Sequence, residues 1–299
     1  MQHAPHHHDA ELETLLRSPG SPRIRLQALL YLLTALTTFA AGAVGWQPLV
    51  LGVDEIGDEI ADHWPRGLAY TVAVMAVLTA HEAGHFIAAR LHGIPATLPF
   101  FIPVPVLLTG TLGAVIGMEG GRANRRQLFD IALAGPLAGL VVAVPILAWG
   151  MLTGADDASN PFTLAPLARW VQAAVRPDLP PDVAVAPNTL FMAGWVGLLV
   201  TGLNMVPISQ LDGGHISRAV FGRYGDWVAR GVLMAAIAAV IAFGQYNWVV
   251  MLVIVTLMGV DHPPIRDDGQ PLGALRTALG IASFLIPIVT FMPEPLRLK

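Results

Sequence analysis

Five consecutive residues constrain this chain more than any others: His81-Glu82-Ala83-Gly84-His85. On an α-helix, positions i and i+4 share a face. The H-E-x-x-H pattern therefore sets two imidazoles side by side, able to grip one zinc ion with the glutamate beside it as a general base. The setting is unusual, because the motif interrupts an apolar run, residues 67–91, long enough to cross a bilayer. Ionisable side chains at membrane depth are costly and mark function. The pattern predicts zinc-dependent hydrolysis inside a membrane.

Composition agrees with a membrane setting. The chain has 299 residues, of which 54% are hydrophobic and 13% charged, and its mean hydropathy is +0.60. Soluble chains carry about 25% charged residues, so much of this apolar surface faces lipid. A net charge of −4 with no basic stripe excludes a nucleic-acid partner. The chain has no cysteine, so there is neither a thiolate metal site nor a cysteine nucleophile, and any metal is held by nitrogen and oxygen. Residues 1–23 form a polar tail in which His3, His6, His7 and His8 cluster, read as disordered. Asp9, Glu11 and Glu13 fit neither a signal peptide nor a transit peptide.

The remainder, 24–299, reads as a single transmembrane domain with its core at 67–222 and C-terminal hydrophobic segments at 231–292. The expected fold is an all-α polytopic membrane protein of about six to seven transmembrane helices. Arg17, Arg23 and Arg25 precede a first span, 26–51, and place the N-terminus in the cytoplasm. An acidic loop with Asp54, Glu55, Asp58, Glu59 and Asp62, opposed by Arg66, is expected outside. The second span, 67–91, returns inward with the motif. The segment 96–117 is apolar but broken by Pro99, Pro103, Pro105, Gly110, Gly113 and Gly117. It reads as a re-entrant, β-hairpin-like excursion, tolerated at membrane depth only where protein or water covers it. Arg122, Arg125 and Arg126 mark the cytoplasm again. A third span, 129–152, carries small residues, Gly135-Pro136 and Gly139, suited to close helix packing. An outer loop, 153–187, holds an amphipathic helix at 164–175, and 190–207 is the fourth span. Segments 231–243 and 248–260 read as a hairpin of two short spans, and 272–291 as the last. Trp149, Trp195 and Trp248 are expected at membrane interfaces, as are His63, His92 and His262.

A catalytic zinc usually has three protein ligands. The best third candidate is Asp212, in Asn204-Met205-Val206-Pro207-Ile208-Ser209-Gln210-Leu211-Asp212-Gly213-Gly214-His215. Pro207 ends a helix, and Gly213-Gly214 frees the backbone so that a carboxylate can turn toward the second span. The alternative is an aspartate capping free amides at a helix end. His215 is either a partner that orients Asp212 or a solvated interfacial side chain.

With these residues in view, the chain resembles the site-2 proteases, a family of intramembrane zinc metalloproteases, over roughly residues 79–222. The resemblance rests on H-E-x-x-H within a span, on Gly110-Thr111-Leu112-Gly113-Ala114, on Asp130 to Gly139 (D-I-A-L-A-G-P-L-A-G), and on Leu211-Asp212-Gly213-Gly214-His215 with Asn204 eight residues before the aspartate. The family's N-P-x-P-x-x-x-x-D-G pattern is met except at its first proline, where Met205 stands. Lacking a PDZ-like insertion or a tail regulatory domain, the chain is similar to the compact branch. The resemblance implies an intramembrane zinc endopeptidase of a bacterial cell (inner) membrane. His81, His85 and Asp212 bind Zn2+, Glu82 activates the water, and Asn204 holds the substrate or its developing oxyanion. The implied partners are the lipid bilayer and a membrane-protein substrate with a transmembrane segment, for which the 96–117 hairpin offers a strand edge. A proteolytically silent, helix-binding relative is disfavoured by the intact Glu82. A zinc transporter is disfavoured by the absence of an internal repeat.

Overall fold

The computed structural model describes residues 23–46, 53–118, 120–157, 160–180, 183–208, 210–257, 259–260, 262–263 and 265–296. The polar N-terminal tail, with its four histidines, lies outside them.

Helix α1 (Ile24–Ala43) leads into α2 (Val53–Leu91). Helix α1 ends earlier than the expected first span, because Gly45 and Trp46 both take positive φ, 72° and 58°. Its last carbonyls are met from the next helix: Arg66 Nε donates to Gly42 O at 2.9 Å and Arg66 Nη2 donates to Ala43 O. A cation on the C-terminal carbonyls also suits the helix dipole. Arg66 is thus a cap and not simply a counter-charge for an acidic loop. That loop is itself helical. Asp58, Glu59 and Asp62 belong to the start of α2, which bends at His63 (φ −120°, ψ 20°) ahead of Pro65. Proline disfavours helical backbone in the residues before it, and carboxylates suit a helix N-terminus.

The 96–117 segment is an antiparallel hairpin of β1 (Phe100–Pro103) and β2 (Thr111–Val115). Phe101 pairs with Ala114 and Pro103 with Thr111, across an irregularity where the prolines withhold ladder donors. The hairpin lies along α1. Gln27 Nε2 donates to Leu98 O at 2.7 Å, Tyr31 meets Phe101 edge-on at 4.9 Å, and Gly110 abuts Thr37 and Thr38. Between Gln27 and Thr38 the helix rises roughly 16 Å, and the hairpin follows it over that length.

Asn124 opens α3 (Arg125–Thr153) with a reciprocal cap, accepting from Arg126 N and Gln127 N while Gln127 Oε1 accepts from Asn124 N. Next come β3 (Asp156–Asp157), the amphipathic helix α4 (Pro166–Val175), β4 (Ala184–Val185) paired with β3, and α5 (Thr189–Asn204). Trp195 is not interfacial. It is 1% exposed, packs edge-on against Phe162 and donates Nε1 to Thr163 O at 2.8 Å. That bond satisfies the indole inside the core. After α5 come α6 (Asp212–Phe221), α7 (Gly225–Phe243), α8 (Val249–Leu257), α9 (Ala274–Ser283) and α10 (Leu285–Thr290).

Among the described residues, four helical segments are long and apolar enough to cross a membrane: Ile24–Ala43, Ile56–Leu91, Arg125–Thr153 and Asp212–Phe243. Thr189–Asn204 and Ala274–Thr290 are shorter apolar segments. The mostly helical, membrane-compatible fold is as expected, and the count of six to seven spans is neither met nor excluded by these segments. The expected short span 231–243 is the end of a longer unit, in which a 3₁₀ turn at Gly222–Tyr224 joins α6 to α7.

The main core joins α2, α3 and α5 through Tyr70, Val74, Leu78, Leu147, Met151, Phe191, Trp195 and Leu198. It lies beside the motif and holds the helices that carry it.

Candidate metal centre

His81, Glu82 and His85 are 3%, 4% and 5% exposed. They lie where α2 crosses α3 antiparallel, at a contact made of glycines. A Cβ on Gly135 would sit 2.1 Å from His85 Nε2, one on Gly139 would sit 3.1 Å from His81 Nδ1, and one on Gly84 would sit 2.5 Å from Ala134 O. Small residues let helices in lipid approach closely. Here the space they leave is filled by the two imidazoles. The Gly135-Pro136 region, read from sequence as simple packing, therefore shapes the site. The matching signal is present in the chain: Gly135 and Gly139 are spaced i, i+4, as are His85 and His81.

The His85 imidazole is aimed by a backbone carbonyl. His85 Nδ1 lies 2.9 Å from Ile131 O. A carbonyl only accepts, so Nδ1 carries the hydrogen and Nε2 presents a lone pair, the arrangement that orients metal-binding histidines. His85 Nε2 and His81 Nε2 are 3.1 Å apart.

Asp212 arrives from the other half of the chain. Met205 continues the end of α5, donating its N–H to Thr201 O at 3.0 Å, a bond that the family's usual proline would lack. The chain turns at 206–208, and α6 begins at Asp212. Gly213 is required there, since a Cβ would meet Met205 O at 2.1 Å. The glycines thus permit the turn to close against α5, and do not loosen the backbone as expected. No side chain caps α6. The Asp212 carboxylate instead faces the histidines, Oδ2 at 3.2 Å from His81 Nε2 and Oδ1 at 3.3 Å from His85 Nε2. Asn204, the last residue of α5, brings Nδ2 to 3.4 Å from His81 Nε2.

The donor set fits a zinc ion. One ligand atom from each of His81, His85 and Asp212 lies within 4.8 Å of the others. The 3.1 Å between the two Nε2 atoms is close to the edge of about 3.3 Å in a tetrahedron built on zinc bonds of about 2.0–2.1 Å, and the carboxylate turns a different oxygen to each histidine, Oδ2 to His81 and Oδ1 to His85. Glu82 Oε2 is buried with no hydrogen-bond partner among the described residues, and no lysine or arginine pairs with Glu82 or Asp212 there. Two buried carboxylates without a cation are expensive, and a dication supplies the missing charge.

The centre opens on a cavity of about 670 Å³ lined by His81, Glu82, His85, Asn204 and Asp212, and also by residues 114–118 of the hairpin. His215, in the first turn of α6, and His262, from the loop after α8, line it too. His262 is therefore not a simple interfacial side chain: His215 Nδ1 and His262 Nε2 are 2.6 Å apart. Sequence spacing carried no signal for that meeting. Burial holds His262 below the usual imidazole range.

The model of Peptidase family M50 matches residues 69–243, more than half of the chain. The chain is 27% identical to "Probable zinc metalloprotease EGY1, chloroplastic" of Oryza sativa subsp. japonica, over 76% of this chain and 40% of that protein. It is 29% identical to the Arabidopsis thaliana protein of the same name, over 76% and 42%. It is 27% identical to "Probable zinc metalloprotease EGY2, chloroplastic" of Arabidopsis thaliana, over 77% and 42%. The chain spans about two fifths of the length of these relatives. No solved structure gives a significant match.

Proposed function

The chain belongs to peptidase family M50, and from that membership we propose that it is a zinc metalloendopeptidase cleaving peptide bonds in or near the transmembrane segment of a membrane-protein substrate. The observation that carries the reading is the convergence of His81, His85 and Asp212 on one point, beside the unpartnered Glu82 carboxylate. A zinc ion held there supplies Lewis acidity, which lowers the pKa of water and polarises a carbonyl. In this reading Glu82 Oε2 takes the proton of the attacking water and passes it to the leaving amine. The Ile131 carbonyl keeps His85 Nε2 on the metal side. Asn204 Nδ2 donates to the substrate carbonyl oxygen as negative charge grows there.

A helical substrate hides its peptide bonds, so it unwinds before cleavage. Residues 114–118, which border the cavity, offer main-chain partners to the extended segment where lipid offers none. The four membrane-length helices support a membrane location. The arginines ahead of α1 support a cytoplasmic N-terminus, and we take the membrane to be a bacterial cell membrane and residues 24–299 to act as one unit.

The test is cleavage by the purified full chain, loaded with zinc, of a single-span model substrate. Wild type cleaves it, and Glu82→Gln keeps zinc but does not cleave. Equal cleavage by that variant would remove Glu82 from its role, and zinc flux without cleavage would favour transport.

A further inference from the structure

The second histidine pair is not used by the hydrolysis proposed above, yet its hydrogen bonds determine which nitrogens carry protons. His262 Nδ1 lies 2.6 Å from Pro263 O. A carbonyl only accepts, so His262 Nδ1 is the N–H, and in a neutral ring Nε2 is then a bare lone pair. Burial favours the neutral ring. The lone pair faces His215 Nδ1 at 2.6 Å, so that nitrogen is also an N–H and donates to it. The remaining nitrogen, His215 Nε2, is left as an acceptor. It has no hydrogen-bond partner among the described residues, and the His215 ring lines the cavity. His215 also stands three residues after Asp212 at the start of α6, so the two share a helix face.

The loop carrying His262 is itself tied down. His262 N donates to Asp226 Oδ1 at 3.2 Å, and Arg218 pairs with Asp226 and with Asp268 at 3.3 and 2.8 Å. The acceptor is therefore set by a main-chain carbonyl and held by an ion-pair network, with no freedom to switch tautomer.

An extended peptide in a largely apolar cavity brings main-chain N–H groups, each of which must be bonded. Phe100, Val115, Ile116, Met118 and Leu211 offer no side-chain acceptor. We propose that His215 Nε2 accepts a hydrogen bond from a main-chain N–H of the substrate, making His215 a substrate-positioning residue that His262 and Pro263 lock in the accepting tautomer. This rests on the peptidase reading and deepens it, since the ligand is an extended, uncharged peptide segment with a free amide N–H.

The test uses the full chain in detergent, a single-span peptide uncharged within its span, and three variants. In His215→Gln, Oε1 reaches the place of Nε2; in His215→Asn the amide reaches only the place of Nδ1; His215→Phe supplies neither. The Asn and Phe variants should raise KM about tenfold, the size of one hydrogen bond, with kcat within about threefold and zinc content unchanged. His215→Gln should keep KM within about threefold of wild type. A substrate in which an ester replaces the contacted amide lacks the donor, so wild type and His215→Phe should handle it alike. The proposal fails if Gln is no better than Asn, if all three lower kcat at constant KM, or if every backbone ester leaves the tenfold gap intact. Should wild type not cleave the peptide, the peptidase reading falls. Should wild type cleave while the three variants match it, only the His215 assignment falls.

Discussion

His81 and His85 stand one turn apart on a single helix, with Nε2 atoms 3.1 Å apart and an aspartate oxygen 3.2 to 3.3 Å from each. His215 and His262 come from separate segments, meet at 2.6 Å, and have no carboxylate within ion-pair distance of either ring among the described residues. The two pairs line one cavity. The first pair is backed by glycines that leave room for the rings, and the carbonyl of Ile131 turns the His85 lone pair toward the shared point. In the second, the carbonyl of Pro263 turns the His262 lone pair toward the neighbouring imidazole, so the pair satisfies itself and projects one acceptor. Proximity of two imidazoles does not make a metal centre. What decides is the third group and the direction in which each far nitrogen is held.

The largest effect should come from breaking the first pair. His85→Ala is expected to lose zinc and cleavage together, and a chelator should do the same to wild type, reversibly on adding zinc. Glu82→Gln, which leaves the ligands alone, should lower kcat by on the order of 10²–10⁴-fold with zinc retained. Metal analysis beside kinetics separates the two.

Next is the glycine backing. Gly135→Ala places a methyl 2.1 Å from His85 Nε2, so the ring must move. A loss of about 10–100-fold in zinc affinity is expected, the size seen when a metal ligand's support is removed. Gly231→Ala on α7, with nothing within 4 Å, is the control and should change neither affinity nor rate. Equal affinity in both variants would break the claim that the helix crossing shapes the site.

The hairpin comes third. Gly110 has φ +75°, and a Cβ there would lie 2.6 Å from Thr37 O. Gly110→Ala should displace the hairpin from α1 and lower cleavage about tenfold, with zinc content unchanged, if residues 114–118 present main-chain bonds to substrate. The smallest effect is expected from His262→Ala, which frees the His215 tautomer: KM rises a few-fold, with kcat and zinc constant. A larger loss there than in Gly135→Ala would reverse the ranking of the two pairs.

Legibility in the sequence followed the range of the interaction. The spacing of His81, Glu82 and His85 is local, and one helix period places them together. The prolines and glycines of 96–117 act on their own backbone, and a hairpin resulted. Asp212 was legible because few carboxylates follow an apolar span so closely, although the turn that delivers it depends on Gly213 meeting Met205, a contact between segments. Tertiary partners were not legible. Trp195 is a residue type common at interfaces, and its burial depends on core neighbours from other helices and on Thr163 of the outer loop, which accepts its indole N–H. Arg66 reads as a surface charge until the end of α1 is beside it. His262 meets His215 across 47 residues of chain, and no periodicity encodes that.

The most direct measurement is zinc K-edge absorption spectroscopy on the full chain and on Asp212→Asn. Two imidazole nitrogens and a carboxylate oxygen in the first shell, with the shell altered or zinc lost in the variant, is the predicted result. A zinc shell without imidazole, or one unchanged by Asp212→Asn, would contradict a centre built from α2 and α6.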